Sequence, residues 1–291
     1  MAKARQIVKR RKAVTNIRKI TKTMQLIATA RFQQAFNRAT ATKPYTEKIT
    51  RLVGELSAAA GGQVEHPLMR ENPEAKTDVV IVISSNRGLC GGYNARVLST
   101  AINLLKAEQE RPNETTVVGK KGINYFRFLK RKVDRAITAI DDRPRFEQVE
   151  PIAAELMKRY EAGELRNVSV VYMKFLSAGR QQPEVMKLLP LSKLEPAGGA
   201  AEPAASAEYD FSPAPEKLLS ILLPQTVKVR LFQCFTDAAV SEQVARMVAM
   251  KAATDAAGDM IKSLSREFNR ARQTQITMEL LDIVGGAENL K

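Results

Sequence analysis

The 291-residue chain has no tryptophan, one histidine and two cysteines, and this scarcity excludes several kinds of site. Cys90 and Cys234 share no short motif, which favours reduced thiols over a disulfide framework. His66 lies in a polar loop, where a lone histidine is far more often solvated than bound to zinc. Glu279 and Asp282 form an i,i+3 acidic pair, but no histidine accompanies them. The sequence therefore predicts no catalytic residue, no metal site and no cofactor.

Long apolar runs are also missing. The longest fully apolar stretch is VVIVI at 79–83, far short of the roughly 20 residues that cross a membrane. The first residues, MAKARQIVKRRK, lack the apolar core of a signal peptide. They are basic like a transit peptide, but they are not serine-rich and their helical pattern continues without a cleavage-like break. We expect a soluble, unprocessed protein.

Acidic residues are absent from the first 46 positions, which contain twelve lysines and arginines. The whole chain has a net charge of +15, so an acidic partner is expected: nucleic acid, an anionic membrane or an acidic protein surface. Aromatic residues are few on this basic segment, namely Phe32, Phe36 and Tyr45, and they form no platform of the kind that stacks RNA bases. A nucleic-acid-binding coiled coil nevertheless remains one alternative.

Proline and glycine are scarce near both ends of the chain, which permits long helices there. Residues 1–60 contain only Pro44 and Gly54, and residues 225–286 contain no proline. A helix of about 60 residues is roughly 90 Å long, beyond the radius of a globular domain. Long helices with thin apolar seams are unstable alone, so we expect the two to pair as an antiparallel coiled coil.

The expected seams follow heptad spacing. In the N-terminal helix they comprise Ile17, Ile20, Met24 and Ile27, followed by Tyr45, Ile49, Leu52 and Leu56. In the C-terminal helix they comprise Ala257, Ile261, Leu264, Phe268 and Ala271. Pro44 is expected to kink the first helix. The segment TVKVRLF (226–232) alternates like a strand, against the helical period.

The middle of the chain alternates between strand and helix patterns, which predicts an open, Rossmann-like α/β sheet inserted between the two long helices. The expected strands are 78–84, 115–119, 136–140 and 167–175, with 183–191 as an edge strand. The expected helices are 95–110, 121–131 and 147–163. Residues 195–208 are rich in proline, alanine and glycine and are expected to form a flexible linker.

One glycine-rich segment, SSNRGLCGGYN (84–94), follows the first strand and opens a helix. Backbone N–H groups at such a place can bind a phosphate, so a dinucleotide-dependent enzyme is a second alternative. The segment does not fit G-x-G-x-x-G, however, and a tight strand-to-helix turn accounts for its glycines better. GKKG at 119–122 is interpreted only as a turn.

The C-terminal end of the last helix becomes more apolar where helix ends are usually polar. Ile276, Leu280, Ile283 and Val284 recur on one helical face. Neither of the two alternatives above requires such an end, and we expect a dry surface to cover it.

Several motifs together resemble the gamma subunits of the rotary proton-translocating ATP synthase, almost from end to end. They are IRKITKTMQLIATARF (17–32), SSNRGLCGGYN (84–94), YDFSPAPEKLLSILLP (209–224), SEQVARMVAMKAATDAAGDMI (241–261) and NRARQTQITMELLDIVGGA (269–287). The resemblance implies five segments: an N-terminal shaft helix at 1–60, a connector at 61–77, an α/β foot domain at 78–194, the linker at 195–208, and a return segment with the C-terminal shaft helix at 209–291. It also implies that 226–232 is helical.

The resemblance implies a central rotor shaft that is not catalytic on its own, with one copy in each complex. The shaft would couple proton flow through a membrane c-ring to ATP synthesis or hydrolysis in a ring of three alpha and three beta subunits. Further implied partners are the epsilon subunit and the c-ring itself, with no nucleic acid. The implied location is peripheral, on the cytoplasmic face of the bacterial inner membrane.

The resemblance also implies three groups of contact residues. The contacts with the catalytic ring would be Met24, Arg272, Gln273, Thr277 and Glu279. The bearing tip would be Ile276, Leu280, Ile283 and Val284. The foot would include Arg87, Gly88, Gly91, Gly92, Tyr209 and Phe211.

Four positions depart from the usual pattern of the family. Asn86 stands where aspartate is common, Ser212 where glutamate is frequent, Ala256 where asparagine is usual, and Met278 where glutamine is usual. The first two affect expected contacts of the foot, and Met278 affects one polar contact near the tip.

Overall fold

The computed structural model describes residues 2–59, 66–107, 112–191 and 215–288. The linker at 195–208 and the predicted foot residues Tyr209 and Phe211 lie outside these ranges. The elements, in chain order, are α1 (Ala2–Ala59), β1 (Thr77–Ile83), α2 (Tyr93–Ala107), β2 (Asn113–Val118), α3 (Lys120–Phe128), β3 (Arg135–Ile137), α4 (Phe146–Glu161), β4 (Leu165–Ser177), β5 (Arg180–Leu189) and α5 (Pro215–Glu288). No helix in these ranges combines the length and apolar composition needed to cross a membrane.

The chain divides into two compact units. The helical unit consists of Met1–Ala30 and Arg246–Lys291, and the α/β unit consists of Arg31–Ala245. The long helices α1 and α5 each contribute residues to both units.

The helical unit is an antiparallel pair, as the sequence predicts. The hydroxyl of Thr254 lies 2.9 Å from that of Thr21, and the guanidinium of Arg11 lies 5.6 Å from the centre of the Phe268 ring. The contact partner of the earlier residue in α1 is the later residue in α5, so the two helices run antiparallel. The predicted α5 seam is confirmed, since Ala257 and Leu264 are buried and the residues between and after them at heptad spacing are half-buried.

The predicted α1 seam is wrong by one residue in the helical unit. Ile17, Ile20 and Ile27 are 52%, 59% and 49% exposed. The buried positions are instead Ile7, Thr21 and Ala28, with Val14 half-buried between them. These four residues repeat at sevenfold spacing, so the helix does present a coiled-coil face. From Thr21 onward that face carries small residues, and the neighbouring line formed by Ile17, Ile20 and Ile27 is exposed.

Helix α5 begins earlier than the proline-free segment suggests. Pro215 occupies its first position, where the missing N–H is not needed, and Pro224 lies inside the helix. The strand-like segment 226–232 is helical, as the family resemblance implies. Helix α1 likewise continues through Pro44.

The α/β unit contains a five-stranded sheet in the order β3-β2-β1-β4-β5. Strands β1 to β4 are parallel, and β5 pairs antiparallel with β4 at the edge. The expected open sheet is therefore confirmed, including its edge strand. Alternate residues of β1 face opposite sides: Val80 and Val82 pack with α2 and α3, whereas Val79, Ile81 and Ile83 pack with α4 and parts of α1 and α5. Cover on both faces explains why residues 79–83 of β1 are all apolar.

Strand β3 is shorter than the predicted 136–140. It ends at Ile137, and the carbonyl of Ile140 accepts a hydrogen bond from the side-chain amide of Asn86 at 2.9 Å instead of joining a strand ladder. The pattern AITAI thus reflects a buried Ile140 in the loop after a three-residue strand.

Candidate functional site: the helix tip and the glycine turn

The last part of α5 extends beyond the beginning of α1. Thr21 lies beside Thr254, and Arg11 lies beside Phe268. Both helices rise by the same distance per residue. Ala2, where α1 begins, is therefore about level with residue 277 of α5. The helix continues from there to Glu288. Within the described residues, this end of α5 therefore has no helix beside it.

This unpaired end carries a series of exposed apolar side chains. The four predicted bearing residues are all exposed: Ile276 by 48%, Leu280 by 57%, Ile283 by 68% and Val284 by 61%. The sequence prediction missed Leu281, which is 60% exposed and widens the same surface. A contiguous apolar patch of this kind marks a surface that another molecule covers.

The polar positions predicted to contact a catalytic ring lie on the same side of α5 as the apolar ones. Arg272, Ile276, Glu279, Leu280 and Ile283 follow the spacing 4-3-1-3, which places them on one helical face. The side chains of Arg272, Gln273, Thr277 and Glu279 are all exposed. Polar and apolar side chains thus alternate on one face of α5. The polar ones are concentrated in the part of the helix nearer to the coiled coil.

Two of these polar side chains already make local hydrogen bonds. Glu279 accepts a hydrogen bond of 2.8 Å from the Gln275 amide, and the Thr277 hydroxyl donates to the carbonyl of Gln273 at 3.0 Å. Both bonds are solvent-exposed, so they orient the side chains without removing them from contact. Met24, on α1, is half-buried.

The glycine-rich turn at 84–94 caps the N-terminus of α3 with hydrogen-bond acceptors. The first three N–H groups of α3 donate in order to Asn86 Oδ1, Ser85 O and Ser84 Oγ, at 3.0, 3.0 and 2.9 Å. These are the groups that would hold a phosphate at a helix N-terminus. Because residues 84–86, directly after β1, accept these bonds, the start of α3 does not offer the N–H groups to a nucleotide. The helix that the glycine-rich segment itself opens is α2, where the N–H of Tyr93 donates to the carbonyl of Cys90 at 3.2 Å.

The glycines with a steric role here are Gly119 and Gly122, so the interpretation of GKKG as only a turn is wrong. A Cβ on Gly119 would lie 2.2 Å from the carbonyl oxygen of Ser84, and Gly119 has a φ of 92°. A Cβ on Gly122 would lie 2.5 Å from Ser84 Oγ and 2.8 Å from Val117 Cγ1. By contrast, Gly88 and Gly92 have open surroundings, with nothing closer than 3.4 Å. The close approach of β1 to α3 therefore requires the second glycine pair.

Asn86, one of the departures from the family pattern, uses both halves of its amide. The Nδ2 group donates to the carbonyl of Ile140 at 2.9 Å, and Oδ1 accepts from the N–H of Lys120 at 3.0 Å. An ionised aspartate cannot donate, so this chain uses an asparagine to join the turn to the loop after β3.

The two cysteines, Cys90 and Cys234, are buried. Burial raises the pKa of the Cys234 thiol, which keeps it protonated and unreactive. Cys90 is 2% exposed. Within the described ranges, no group of three or more metal-ligating side chains is found.

Comparison with known proteins agrees with this geometry. The profile of the ATP synthase family matches residues 3–290. The ATP synthase gamma chain of Rhodopirellula baltica is 47% identical over 296 residues, with both chains covered completely. The chain belongs to the ATP synthase gamma chain family. Further members of the gamma family that it resembles are those of Leptospira biflexa, 37% identical with 99% of each chain covered, and Saccharopolyspora erythraea, 39% identical with 100% and 98% covered.

Solved structures share the fold at lower identity. A chain in the Euglena gracilis mitochondrial ATP synthase, in an OSCP/F1/c-ring assembly, superposes with a TM-score of 0.69 at 17% identity and covers 99% of this chain and 95% of its own. A chain in the central stalk and c-ring of the Tetrahymena thermophila enzyme has a TM-score of 0.61 at 18% identity, covering 80% and 99%. The two long helices with an inserted sheet are thus a fold found in ATP synthases.

The predicted foot residues that the structure describes lie at the carboxyl ends of the sheet strands. Arg87, Gly88, Gly91 and Gly92 follow the carboxyl end of β1, and Arg87, Gly91 and Gly92 are exposed to solvent. Leu89 in the same turn is 61% exposed with a φ of 62°.

Helix α5 begins toward the opposite edge. Lys228 forms an ion pair of 2.7 Å with Glu150, and the rings of Phe232 and Phe146 lie 5.6 Å apart, so α5 runs antiparallel to α4. Helix α4 starts just after the carboxyl end of β3 and runs back toward the amino ends of the strands. Pro215 consequently lies toward those amino ends, across the sheet from the glycine turn.

Proposed function

We propose that this chain is the central rotor shaft of an ATP synthase, transmitting rotation between a membrane c-ring and three catalytic sites. The observation that carries the proposal is the end of α5 beyond the coiled coil, an exposed apolar helix on a chain of the gamma family. Contact between an exposed apolar helix end and water is unfavourable, so such an end indicates that another surface covers it. The hydrophobic sleeve formed by a ring of three alpha and three beta subunits would be that surface.

The bearing would consist of Ile276, Leu280, Ile283 and Val284, with Leu281 beside them. Apolar contacts have no preferred direction, since they depend on the area removed from water and not on the alignment of donors and acceptors. A joint made of them excludes water at every angle of rotation. This property suits a helix end that turns inside a fixed ring.

Torque requires directional contacts, and we assign these to Arg272, Gln273, Thr277 and Glu279, with Met24 on α1. A guanidinium and an amide offer several donors to loops of a beta subunit. Because these contacts lie on one side of the shaft, each catalytic site would meet a different surface as the shaft turns. The basic α1, with no acidic residue through position 46, complements acidic loops on the beta subunits.

In this proposal the chain performs no catalysis by itself and binds no cofactor. The hydrogen bonds at the start of α3 support a structural role for the glycine-rich turn. ATP synthesis and hydrolysis would take place on the alpha and beta subunits, driven by or driving proton flow through the c-ring. The epsilon subunit would accompany the shaft, and nucleic acid would not be a partner.

The foot of the shaft would be peripheral to the bacterial inner membrane, on its cytoplasmic face. We propose that Tyr209 and Phe211, which precede α5 in the sequence and lie outside the described residues, belong to the foot that contacts the c-ring. Arg87, Gly88, Gly91 and Gly92 would form a second contact region at the carboxyl edge. The five segments that the sequence predicts, with their boundaries at 60, 77, 194 and 208, remain our proposal for the division of the chain into shaft, foot and linker.

Isolation of the tagged chain from its own cells tests this function. We expect one copy with three copies each of two large subunits, and ATPase activity that the free chain lacks. A variant in which Ile276, Leu280 and Ile283 are changed to serine should dissociate from the ring more readily. Recovery of nucleic acid, or of the chain alone, would refute the proposal.

A further inference from the structure

A cleft in the α/β unit brings together three arginines that have no acidic partner. It has a volume of about 430 Å³ and is lined by Arg38 of α1, by Arg143 and Arg145 from the loop before α4, and by Gln148. Across the parts of the chain that the structure describes, these three guanidinium groups form no ion pair and no side-chain hydrogen bond. They are all exposed to solvent.

Other arginines of the same unit are paired with carboxylates. Arg135 bonds Glu155 at 2.7 Å, and Arg159 bonds both oxygens of Glu114 at 2.9 and 2.8 Å. The arginines of the cleft differ from these paired ones in that three of them line a single cavity. Guanidinium groups bind carboxylate and phosphate oxygens in a bidentate manner, so three of them around one cleft are suited to an anion with several oxygens.

The two acidic residues beside the cleft are already engaged. Asp142 forms an ion pair with Arg31 and also accepts a hydrogen bond of 3.1 Å from Gln243. Asp141 lines the cleft, and its Oδ1 accepts the backbone N–H of Arg143 at 2.9 Å. One carboxylate against three guanidinium groups leaves the cleft with an excess of positive charge.

The start of α4 adds to this positive potential. Helix α4 begins at Phe146, directly after Arg145, and has sixteen residues. Its N-terminus carries the positive end of the helix dipole. The N–H of Arg145 is bound by the side chain of Gln148 at 3.1 Å, which fixes the backbone at the rim of the cleft.

A second, apolar cavity adjoins the cleft. It has a volume of about 220 Å³, shares Arg38 and Pro144 with the cleft, and is lined by Ala35, Ala41 and the ring of Phe232. A ligand with a charged part and a flat apolar part would fill both spaces. Nucleoside phosphates have this division between phosphate groups and base.

We propose that the cleft binds the pyrophosphate group of a small phosphorylated ligand, through Arg38, Arg143 and Arg145. The adjoining cavity accepts the base when the pyrophosphate belongs to a nucleotide. Its lining residues include none of the residues of the helix tip or of the glycine turn, and the proposal does not depend on the rotor function.

Calorimetric titration of the purified full-length chain tests the site, with inorganic pyrophosphate and ADP as separate probes. We expect saturable binding of one pyrophosphate for each chain. The double variant Arg143→Gln/Arg145→Gln should weaken it by about tenfold or more, because it removes two charge-assisted contacts. Tighter binding of ADP than of pyrophosphate would assign the site to nucleotides, and equal binding would assign it to free pyrophosphate.

The matched control is Arg127→Gln/Arg180→Gln, which lowers the net charge equally at exposed arginines that line neither cavity. It should bind pyrophosphate like the wild type. Equal weakening in both double variants, or no saturable binding by the wild type, would refute the proposal. Arg38→Gln, on a different element, provides an independent variant should the loop substitutions unfold the chain.

Discussion

At the scale of single residues, Gly122 occupies a position with almost no room for a side chain. A Cβ there would lie 2.5 Å from Ser84 Oγ and 2.8 Å from Val117 Cγ1. We expect Gly122→Ala to lower the free energy of unfolding by about 1–3 kcal/mol, as overpacking does. Urea denaturation of the isolated chain measures this. Gly92→Ala is the control, since its new methyl would meet nothing closer than 4.0 Å, and an equal loss in both variants would contradict the role of packing.

Asn86 permits a prediction that changes with pH. In Asn86→Asp the Lys120 N–H keeps its acceptor, but the carbonyl of Ile140 loses its donor and faces a carboxylate. We expect a loss of about 1–3 kcal/mol in the free energy of unfolding at pH 7. Repulsion raises the pKa of the introduced carboxyl in the folded state, so the loss is complete above that pKa and disappears as the pH falls below about 4.

The comparison of pH 7 with pH 4 by chemical denaturation measures the effect of Asn86→Asp. Asn124→Asp, at an exposed position on α3, should change stability little at either pH. A loss that persists unchanged at pH 4 would show that the donated hydrogen bond is not the cause.

Asp237 is a native carboxyl with a shifted pKa. Burial raises the pKa of Asp237 to about 6, despite the hydrogen bond of 2.8 Å from Gln233 and the attraction of Lys174. The folded state therefore binds a proton more strongly than the unfolded chain, and stability falls as the pH rises from about 4 to 6. Asp237→Asn should remove this decline and add about 1–2 kcal/mol at pH 7.5.

Denaturation curves across that pH range test the role of Asp237. The matched substitution Asp259→Asn affects a side chain that is 78% exposed and should leave the pH profile unchanged. A wild-type profile that is flat between pH 4 and 6 would contradict the assignment.

At the scale of elements, we expect the pairing of α1 with α5 to depend on Leu264 and not on the exposed Ile17, Ile20 and Ile27 of α1. Leu264 is 8% exposed in the seam, whereas Ile20 is 59% exposed. We expect Leu264→Ala to destabilise the helical unit by about 2–4 kcal/mol and Ile20→Ala to change it by less than about 0.5 kcal/mol. Hydrogen exchange of α1 amides in the isolated chain distinguishes the two. Faster amide exchange after Ile20→Ala would contradict this account and would show that Ile20 packs in the seam, as the sequence pattern predicts.

The error in the α1 seam has a physical cause. The face that packs on α5 contains Thr21 and Ala28, because small side chains allow the helices to approach closely, and Thr21 bonds Thr254 across the pair. A search for large apolar residues selects the neighbouring line of isoleucines instead. The α5 seam was predictable because its residues are themselves apolar and regularly spaced.

The sheet was predictable for a similar reason. Its central strand is buried on both faces, and an uninterrupted β-branched run such as 79–83 is typical of a buried parallel strand. The roles of Gly119 and Gly122 were not predictable, because they depend on contact with Ser84, more than thirty residues earlier. The apolar end of α5 was recognised from the sequence, but only the structure shows that the described part of α1 does not lie beside it.

At the scale of the whole molecule, the proposed function is rotation, and single-molecule observation tests it most directly. Both native cysteines are buried, so Ala178→Cys in the exposed β4–β5 turn provides a selective attachment point for a bead. The complex would be immobilised through its beta subunits and supplied with ATP. We predict that the bead turns in one direction, in three steps per revolution. ATP hydrolysis at the normal rate by a complex whose labelled chain stays still would contradict the rotor function.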